Sequence, residues 1–184
     1  GNFIGPDPTP ADNTPPTTSD NAPLAWQKAD FTVTLTCTDN PGGRGCKETK
    51  YRVDGGAWQT GNSISISTEG DHLIEYYSID NAGNPESTKS TYAKLDKTPP
   101  TVTYSGNATY TIDQTVNIIC TATDNLSGLA FTTCANISGA AYTFTLGTNS
   151  FSASATDLAG NTGSGSTSFT VQVTAAGLGN LVTQ

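Results

Sequence analysis

The chain has 184 residues and a net charge of −8, and only 13% of its residues are charged. All eight Lys and Arg residues lie at or before Lys97, which argues against binding to nucleic acid or to anionic lipid, since both need a basic surface. No apolar run approaches the roughly 20 residues of a membrane-spanning helix. The chain begins with Gly and contains no Met, so we interpret it as a segment of a larger protein whose targeting signal lies elsewhere.

The first part of the chain carries a linker and then the signals of short β-strands. Residues 1–13 are rich in Pro, Asp and Asn, which predicts a linker. Apolar residues alternate with Thr over residues 31–37, the period of a half-buried strand. The turn signal Asp54-Gly55-Gly56 predicts a β-hairpin, because Gly adopts positive φ at little cost. Further strands are predicted around Ile64 and Ile66 and over residues 72–79.

The second part repeats these signals and shows no helical periodicity. The alternation recurs with Val116, Ile118 and Cys120 on one side of a predicted strand. Further strands are predicted over residues 142–146, 150–155 and 168–173. Residues 175–184 are interrupted by Gly and are interpreted as an extension beyond the last strand.

An internal repeat organises the chain. Thr14-Pro15-Pro16-Thr17 recurs as Thr98-Pro99-Pro100-Thr101, and the motif at residues 80–84 recurs at residues 157–161. Many short strands separated by Gly, Pro and Asn indicate a sandwich. The predicted fold class is all-β, with two tandem immunoglobulin-like β-sandwich domains over residues 14–97 and 98–174. A short Thr-Pro-Pro linker joins them, and we expect it to be semi-rigid because Pro fixes φ.

Four cysteines, two in each repeat, predict local disulfides. Cys37, Cys46, Cys120 and Cys134 allow three pairings, and the pairing within each repeat, Cys37–Cys46 and Cys120–Cys134, is favoured. Such short loops predict local clips near one strand end, each contributing about 2–3 kcal/mol, and not the cross-sheet bridge of antibody domains. Disulfides imply an oxidising compartment. The alternative is four free thiols in a reducing cytoplasm. The cysteine spacing does not match a zinc site.

The first repeat resembles a known family. The run Tyr51-Arg52-Val53-Asp54-Gly55-Gly56-Ala57-Trp58-Gln59 and the motif Asp80-Asn81-Ala82-Gly83-Asn84 are similar to OmpL47-type bacterial Ig-like repeats. The second repeat lacks the first of these motifs and resembles the broader bacterial Ig-like class. The resemblance covers residues 14–173 and implies an Ig-like fold and an extracellular or cell-surface location. Members of such families serve as spacers, adhesion modules and substrate-proximity modules.

Acidic turns end two predicted strands in each repeat and are the candidate metal ligands. They hold Asp, Asn and Gly, and carboxylate, amide and backbone oxygens of such loops are the ligands that Ca²⁺ prefers. The candidate ligands are Asp39, Asp80, Asn84, Asp124, Asp157 and Asn161. Turn formation alone also explains these residues, because Asp and Asn bond their own backbone and Gly supplies positive φ. The turn interpretation is favoured over calcium.

Aromatic residues of the first repeat form a second candidate site. Trp26 and Trp58, with several Tyr residues, could stack on a sugar ring. Packing within the sandwich is favoured, since most of these aromatics lie on predicted strands.

Catalysis finds little support in the sequence. The sole histidine, His72, lies in a strand whose second copy has no His, and no partner base for a reactive Cys is present. We expect a non-catalytic extracellular spacer module of a larger secreted or cell-surface protein, which projects or assembles neighbouring domains, including in a surface fibre. The alternative is an adhesion module that binds carbohydrate or protein through the first repeat. Expected partners are other domains of the same chain, or a host or surface protein or glycan.

Overall fold

The computed structural model of the protein describes residues 11–183. The chain divides into two compact units, the first ending at Leu95 and the second beginning at Asp96. This division lies two residues before the predicted boundary between Lys97 and Thr98. Most of the predicted leader, residues 1–10, lies outside the described residues. Each unit is a sandwich of two β-sheets, so the all-β prediction is confirmed.

The described part of the first unit contains seven strands in two sheets. The sheet orders are β1-β2-β5 and β4-β3-β6-β7, and every pairing between these strands is antiparallel. The strands are β1 Thr17–Asp20, β2 Phe31–Thr38, β3 Cys46–Val53, β4 Gln59–Thr60, β5 Ser63–Ile66, β6 Gly70–Asp80 and β7 Lys89–Leu95.

Alternate residues of these strands fill the core of the first unit. Val33 and Leu35 of β2 are buried between the sheets, while the Thr residues beside them are exposed. The opposing sheet contributes Ile74 and Tyr76 of β6 and Leu95 of β7 to the same cluster. The predicted period-two pattern of residues 31–37 is thus confirmed, because the apolar parity points into the sandwich.

The second unit repeats this plan within its described residues. Its sheet orders are β12-β10-β8 and β11-β13-β14-β9, with β9 parallel to β14. The strands are β8 Thr101–Ser105, β9 Thr109–Thr111, β10 Thr115–Thr123, β11 Leu129–Thr132, β12 Ile137–Ala140, β13 Gly147–Asp157 and β14 Thr162–Gln172. Phe169 of β14 is the largest fully buried side chain and contacts the rings of Tyr110, Phe144 and Phe151.

The strand predicted over residues 142–146 is wrong. A short 3₁₀ turn, Ala141–Thr143, occupies the start of this segment. Ala141 N donates to Gln114 O, and Phe144 N donates to Ala141 O. Phe144 then packs against Phe151 and Phe169. The apolar residues of this segment therefore reflect packing from a turn, which sequence periodicity does not distinguish from a strand.

The extension after the last strand is helical, which the sequence analysis did not predict. Helix α1 spans Ala175–Val182, and Thr174 caps it by accepting a hydrogen bond from Gly177 N. Leu181 packs against the core of the second unit, and Asn180 Nδ2 donates to Asp113 Oδ2 at 2.7 Å. Gly disfavours helix, so tertiary contacts outweigh the local propensity here. No helix in the part of the chain that the structure describes has the length and apolar composition of a membrane span.

Both disulfides close short loops within their own repeat. Cys37 of β2 is bonded to Cys46 of β3, and Cys120 of β10 to Cys134 just after β11. These are the pairs favoured from the sequence, and the bonded residues lie 9 and 14 positions apart. Because β2 and β3 lie in different sheets, the first disulfide also ties the two layers of its unit together, which the sequence analysis did not predict.

His72 is part of a brace at the start of β6. Its Nδ1 lies 2.7 Å from Asp54 Oδ2, and its Nε2 lies 2.9 Å from Thr68 O. Both neighbours are acceptors, so only the doubly protonated ring satisfies both. The hydrogen bond to Asp54 raises the pKa of His72 above its ordinary value, and the same bond lowers the pKa of Asp54. The sole histidine therefore links the 54–56 turn to β6, and its protonated form donates to both neighbours.

We expect this brace to make the stability of the first unit depend on pH. A raised His pKa stabilises the fold fully below the unfolded value of about 6.5, and that contribution is lost as pH rises through the folded pKa. Urea denaturation followed by Trp fluorescence will show the loss above about pH 6.5. The variants His72→Gln and Asp54→Asn will both be less stable than the wild type near pH 6 and will lack the decline. If the free energies of unfolding of the wild type and both variants changed with pH in parallel, the hydrogen bonds of His72 would contribute nothing to stability.

Candidate metal centres

Three carboxylates of the second unit meet at one end of its sandwich. Asp124 directly follows β10, Asp157 ends β13, and Asp96 precedes β8. One oxygen of each lies within 4.8 Å of an oxygen of the other two. Asp96 and Asp157 are fully buried, and Asp124 is partly buried. The two strands that end here belong to opposite sheets, so the cluster spans both layers.

Hydrogen bonds between Asp157 and Asn161, called the clamp below, position the carboxylate of Asp157 and the backbone of Asp96. Asn161 donates its backbone N–H to Asp157 Oδ1 and its side-chain Nδ2 to Asp157 Oδ2, both at 2.8 Å. The same Nδ2 donates to the backbone oxygen of Asp96 at 2.8 Å. Gly160 has a φ of +88°, a conformation that Gly adopts without strain. The tight turn after β13 therefore holds the segment that leads into β8.

The first unit has the same clamp at the equivalent place. Asn84 donates its backbone N–H and its Nδ2 to the two oxygens of Asp80, both at 2.8 Å. Its Nδ2 also donates to Asp12 O at 3.0 Å. Asp39, just after β2, completes a cluster in which one oxygen each of Asp12, Asp39 and Asp80 lie within 4.8 Å of one another. The two repeats thus share a three-carboxylate cluster and the hydrogen bonds of its Asp–Asn clamp.

Burial and hydrogen bonding act in opposite directions on Asp80. Its complete burial acts to raise the pKa of the carboxyl, because desolvation disfavours the charged form. Hydrogen bonds from Asn84, and from the backbone of Gly83 and Ala82, outweigh burial and hold the pKa below its usual value. The buried group is therefore a carboxylate stabilised by directed N–H donors.

The structure brings together all six candidate ligands, three in each cluster, and adds two that the sequence analysis missed. In the sequence prediction, Asp12 lies in the linker of residues 1–13 and Asp96 lies at the end of the first domain. A signal for both is present: each lies two residues before the repeated Thr-Pro-Pro-Thr segment, so the repeat extends back to Asp-x-Thr-Pro-Pro-Thr. Asn84 and Asn161 use their side-chain nitrogens to hold the carboxylates in both units. Metal binding by these residues stays a prediction.

The two Trp residues do not form one platform. Trp58 lies on the outer face of the sheet that contains β3 and β6, edge-on to Tyr77 at 5.0 Å between ring centroids. Arg52 stacks over its ring at 4.8 Å and forms a two-bond ion pair with Glu75. Trp26 lies before β2, with Lys94 Nζ 6.0 Å from its ring centroid. No ring contact joins Trp26 to Trp58 in the described part of the chain.

One surface pocket of the first unit lacks the residues of a catalytic site. It has a volume of about 500 Å³ and lies in the first unit between β2 and β3. Its ionisable groups are Lys47 and Glu48, and both of its Cys residues, Cys37 and Cys46, are in a disulfide. His72, bound to Asp54 and Thr68, is not among its lining residues.

Comparisons with known proteins do not assign the chain to a family. No protein-family profile matches the chain, and no curated protein sequence matches it, so the resemblance to OmpL47-type repeats stays an expectation. Among solved structures, the chain is similar to the fibronectin(III)-like modules of Clostridium thermocellum CbhA, with 12% identity, a TM-score of 0.42 and coverage of 85% of this chain and 95% of that one. It is also similar to a structure from a 1.5-MDa bacterial ice-binding adhesin, with 15% identity, a TM-score of 0.40 and coverage of 89% of this chain and 67% of that one. Likeness at this level does not assign a role.

We expect the clamp of the second unit to be needed for its stability. In the variant Asp157→Asn, an NH₂ group would face an N–H of Asn161, so one buried donor would lose its acceptor. Without added metal ion, this should lower the free energy of unfolding by about 1–3 kcal/mol. Asp80→Asn should have the same effect on the first unit and little on the second. Urea denaturation monitored by NMR measures the two units separately, and unchanged stability in both variants would contradict the assigned role of the clamps.

Proposed function

We propose that the chain is a non-catalytic extracellular module that spaces or presents neighbouring domains of a larger secreted or surface protein. The main support is the connection between its units. Leu95 is fully buried in the core of the first unit. The next residue, Asp96, is fully buried and belongs to the second unit. Each of the two residues at the division is therefore anchored within its own unit.

Directed hydrogen bonds hold the start of the second unit. Asp96 Oδ1 accepts from Thr98 N and Oδ2 from Ser127 N, both at 3.0 Å. Its backbone oxygen accepts from Asn161 Nδ2. The Thr-Pro-Pro segment, predicted as the linker, therefore follows a residue that is already fixed.

Close backbone packing extends this anchor into β8. Gly163 and Gly165 of β14 lie under Pro100 and Val102, and a Cβ at either glycine would clash with the carbonyl oxygen of Pro100 or Val102. Only Gly permits this approach. The segment from Asp96 to Val102 is thus fixed by hydrogen bonds at one end and by packing at the other.

The proposed location has separate support. Two disulfides in one chain fit an oxidising environment, since cytoplasmic reductants keep most thiols free. The low content of charged residues fits a surface hydrated by Ser, Thr and Asn.

A binding role for the first unit is the second candidate, and the outer face at Trp58 favours it. Trp58 is 39% exposed and Tyr92, on the same sheet, is 55% exposed. Exposed aromatic rings on one sheet face can stack on a sugar. Arg52 already covers one side of the Trp58 ring, which reduces the surface left for a ligand.

We expect the junction to resist proteolysis. The full chain will be displayed between a membrane anchor and a reporter domain and treated with trypsin. Cleavage after Lys97, in the anchored segment, should be slower than cleavage after Lys28, in the exposed loop before β2. Asn161→Ala removes the side-chain bonds to Asp96 O and to Asp157 Oδ2 and should speed cleavage after Lys97 by roughly 5–100-fold, since each hydrogen bond contributes about 0.5–1.5 kcal/mol. Mass spectrometry identifies each cut.

The matched control is Asn84→Ala, which removes the equivalent bond to Asp12 in the first unit. It should leave cleavage after Lys97 unchanged. Rapid cleavage of the wild type after Lys97 would contradict the spacer proposal.

A glycan array with the full chain separates the two candidate functions. The spacer proposal predicts no retained glycan. Binding that Trp58→Ala abolishes, and that Leu24→Ala leaves intact, would favour the binding role instead. Leu24 is a suitable control because it is 96% exposed in the same unit.

A further inference from the structure

One carboxylate oxygen of the second unit is buried without a partner. Asp124 Oδ2 accepts from the backbone N–H of Leu126 and of Gly128. Asp124 Oδ1 is inaccessible to solvent and has no hydrogen-bond partner among the described residues. A buried anionic oxygen without a donor is costly, and its residue, Asp124, belongs to the cluster that also contains the buried carboxylates of Asp96 and Asp157. A bound cation would satisfy it.

A second orphaned group lies beside the same cluster. Ser127 is only 7% exposed, and its Oγ also lacks a partner among the residues that the structure describes. The backbone N–H of Ser127 donates to Asp96 Oδ2 at 3.0 Å, which places this residue against the carboxylate of Asp96. A neutral hydroxyl oxygen is a further group that can approach a hard cation directly or through water.

The spacing of the oxygens suits Ca²⁺. Oxygens on opposite sides of a Ca²⁺ ion lie about 4.6–5.2 Å apart, twice the Ca–O distance of about 2.3–2.6 Å. The three carboxylate oxygens lie within 4.8 Å of one another, which is compatible with one shared ion. Mg²⁺ demands a strict octahedron with oxygens at about 2.0–2.1 Å, whereas Ca²⁺ accepts irregular sets of oxygen ligands, so carboxylates from three separate segments favour Ca²⁺.

The charge of the second unit also favours a cation. Its acidic residues are Asp96, Asp113, Asp124 and Asp157, and its single basic residue is Lys97. Three of its four acids thus lie in this cluster. Like charges this close repel one another in a partly buried site, and a divalent ion converts that repulsion into attraction.

The equivalent cluster of the first unit is satisfied without an ion. Both oxygens of Asp39 accept backbone N–H bonds, from Asn40 and Gly45. Asp12 accepts from Thr14 and Arg44, and Asp80 from the two nitrogens of Asn84. Every carboxylate oxygen of that cluster has a donor, so the need for a cation is specific to the second unit.

We propose that Asp96, Asp124 and Asp157 form a Ca²⁺ site in the second unit, and that the chain binds one Ca²⁺ ion there. The site is independent of the proposed spacer function. Its ligands come from the start of the unit and from the ends of β10 and β13, so binding strengthens the contact between the two sheets at this end.

Titration of the full chain with CaCl₂ tests the site. Calorimetry should give one ion per chain, with a dissociation constant of about 10⁻⁴–10⁻³ M, as in other extracellular modules. The amide resonances of Leu126 and Gly128 should shift during the titration, since both N–H groups donate to Asp124. The melting temperature of the second unit should rise with CaCl₂ and rise less with MgCl₂. No response to millimolar CaCl₂, or a larger response to MgCl₂, would overturn the proposal.

Asp124→Asn is the decisive variant. Its amide oxygen keeps the two backbone hydrogen bonds, while one of three clustered charges is removed. In chelator, the second unit of this variant should melt at a higher temperature than in the wild type, and CaCl₂ should no longer raise it. Asp39→Asn, the matched change in the first unit, should retain the full Ca²⁺ response. A Ca²⁺ response that survives Asp124→Asn, or that is lost in Asp39→Asn, would overturn the assignment.

Discussion

The architecture of each unit depends on a carboxylate that is buried and fully hydrogen bonded. Asp80 and Asp157 each end an 11-residue strand, and both are fully buried. A buried charge is tolerated only when donors replace its lost hydration. The Asn four residues later supplies two such donors, and its side chain also binds the backbone at Asp12 or Asp96. One short turn thus satisfies the charge and fixes the segment that leads into the first strand of the unit.

Much of this fold could be predicted from the sequence, because the pattern of Val33, Leu35 and Cys37 is imposed by burial on one face of a strand. The paired turns at Asp80 and Asp157 could also be predicted, because Asp and Gly favour turns through local backbone interactions. What escaped prediction depends on distant contacts. Asp12 and Asp96 acquire their role only when the turn of the last hairpin reaches back to them, and helix α1 is held by Leu181 against a core formed by other strands. Phe144 misled the strand assignment because its apolar character serves packing from a turn.

The two repeats share a frame but differ in how it is used. The first unit carries the ion pair of Arg52 and Glu75, the exposed ring of Trp58 and the brace at His72. Its carboxylate cluster is complete in itself. The second unit has one basic residue, and its cluster leaves Asp124 Oδ1 and Ser127 Oγ without partners. The clamp is therefore common to both units, while the buried side-chain atoms without a partner among the described residues lie in the second unit alone.

Hydrogen exchange at Asn84 and Asn161 tests the central role of the clamp most directly. In each residue the backbone N–H and the side-chain amide both donate to a buried carboxylate. These groups should exchange as slowly as the core amides of Ile74 and Val116, because only unfolding of the unit exposes them. Exchange at the rate of an exposed turn, while the core remains protected, would show that the turn opens independently and that the clamp does not hold the fold.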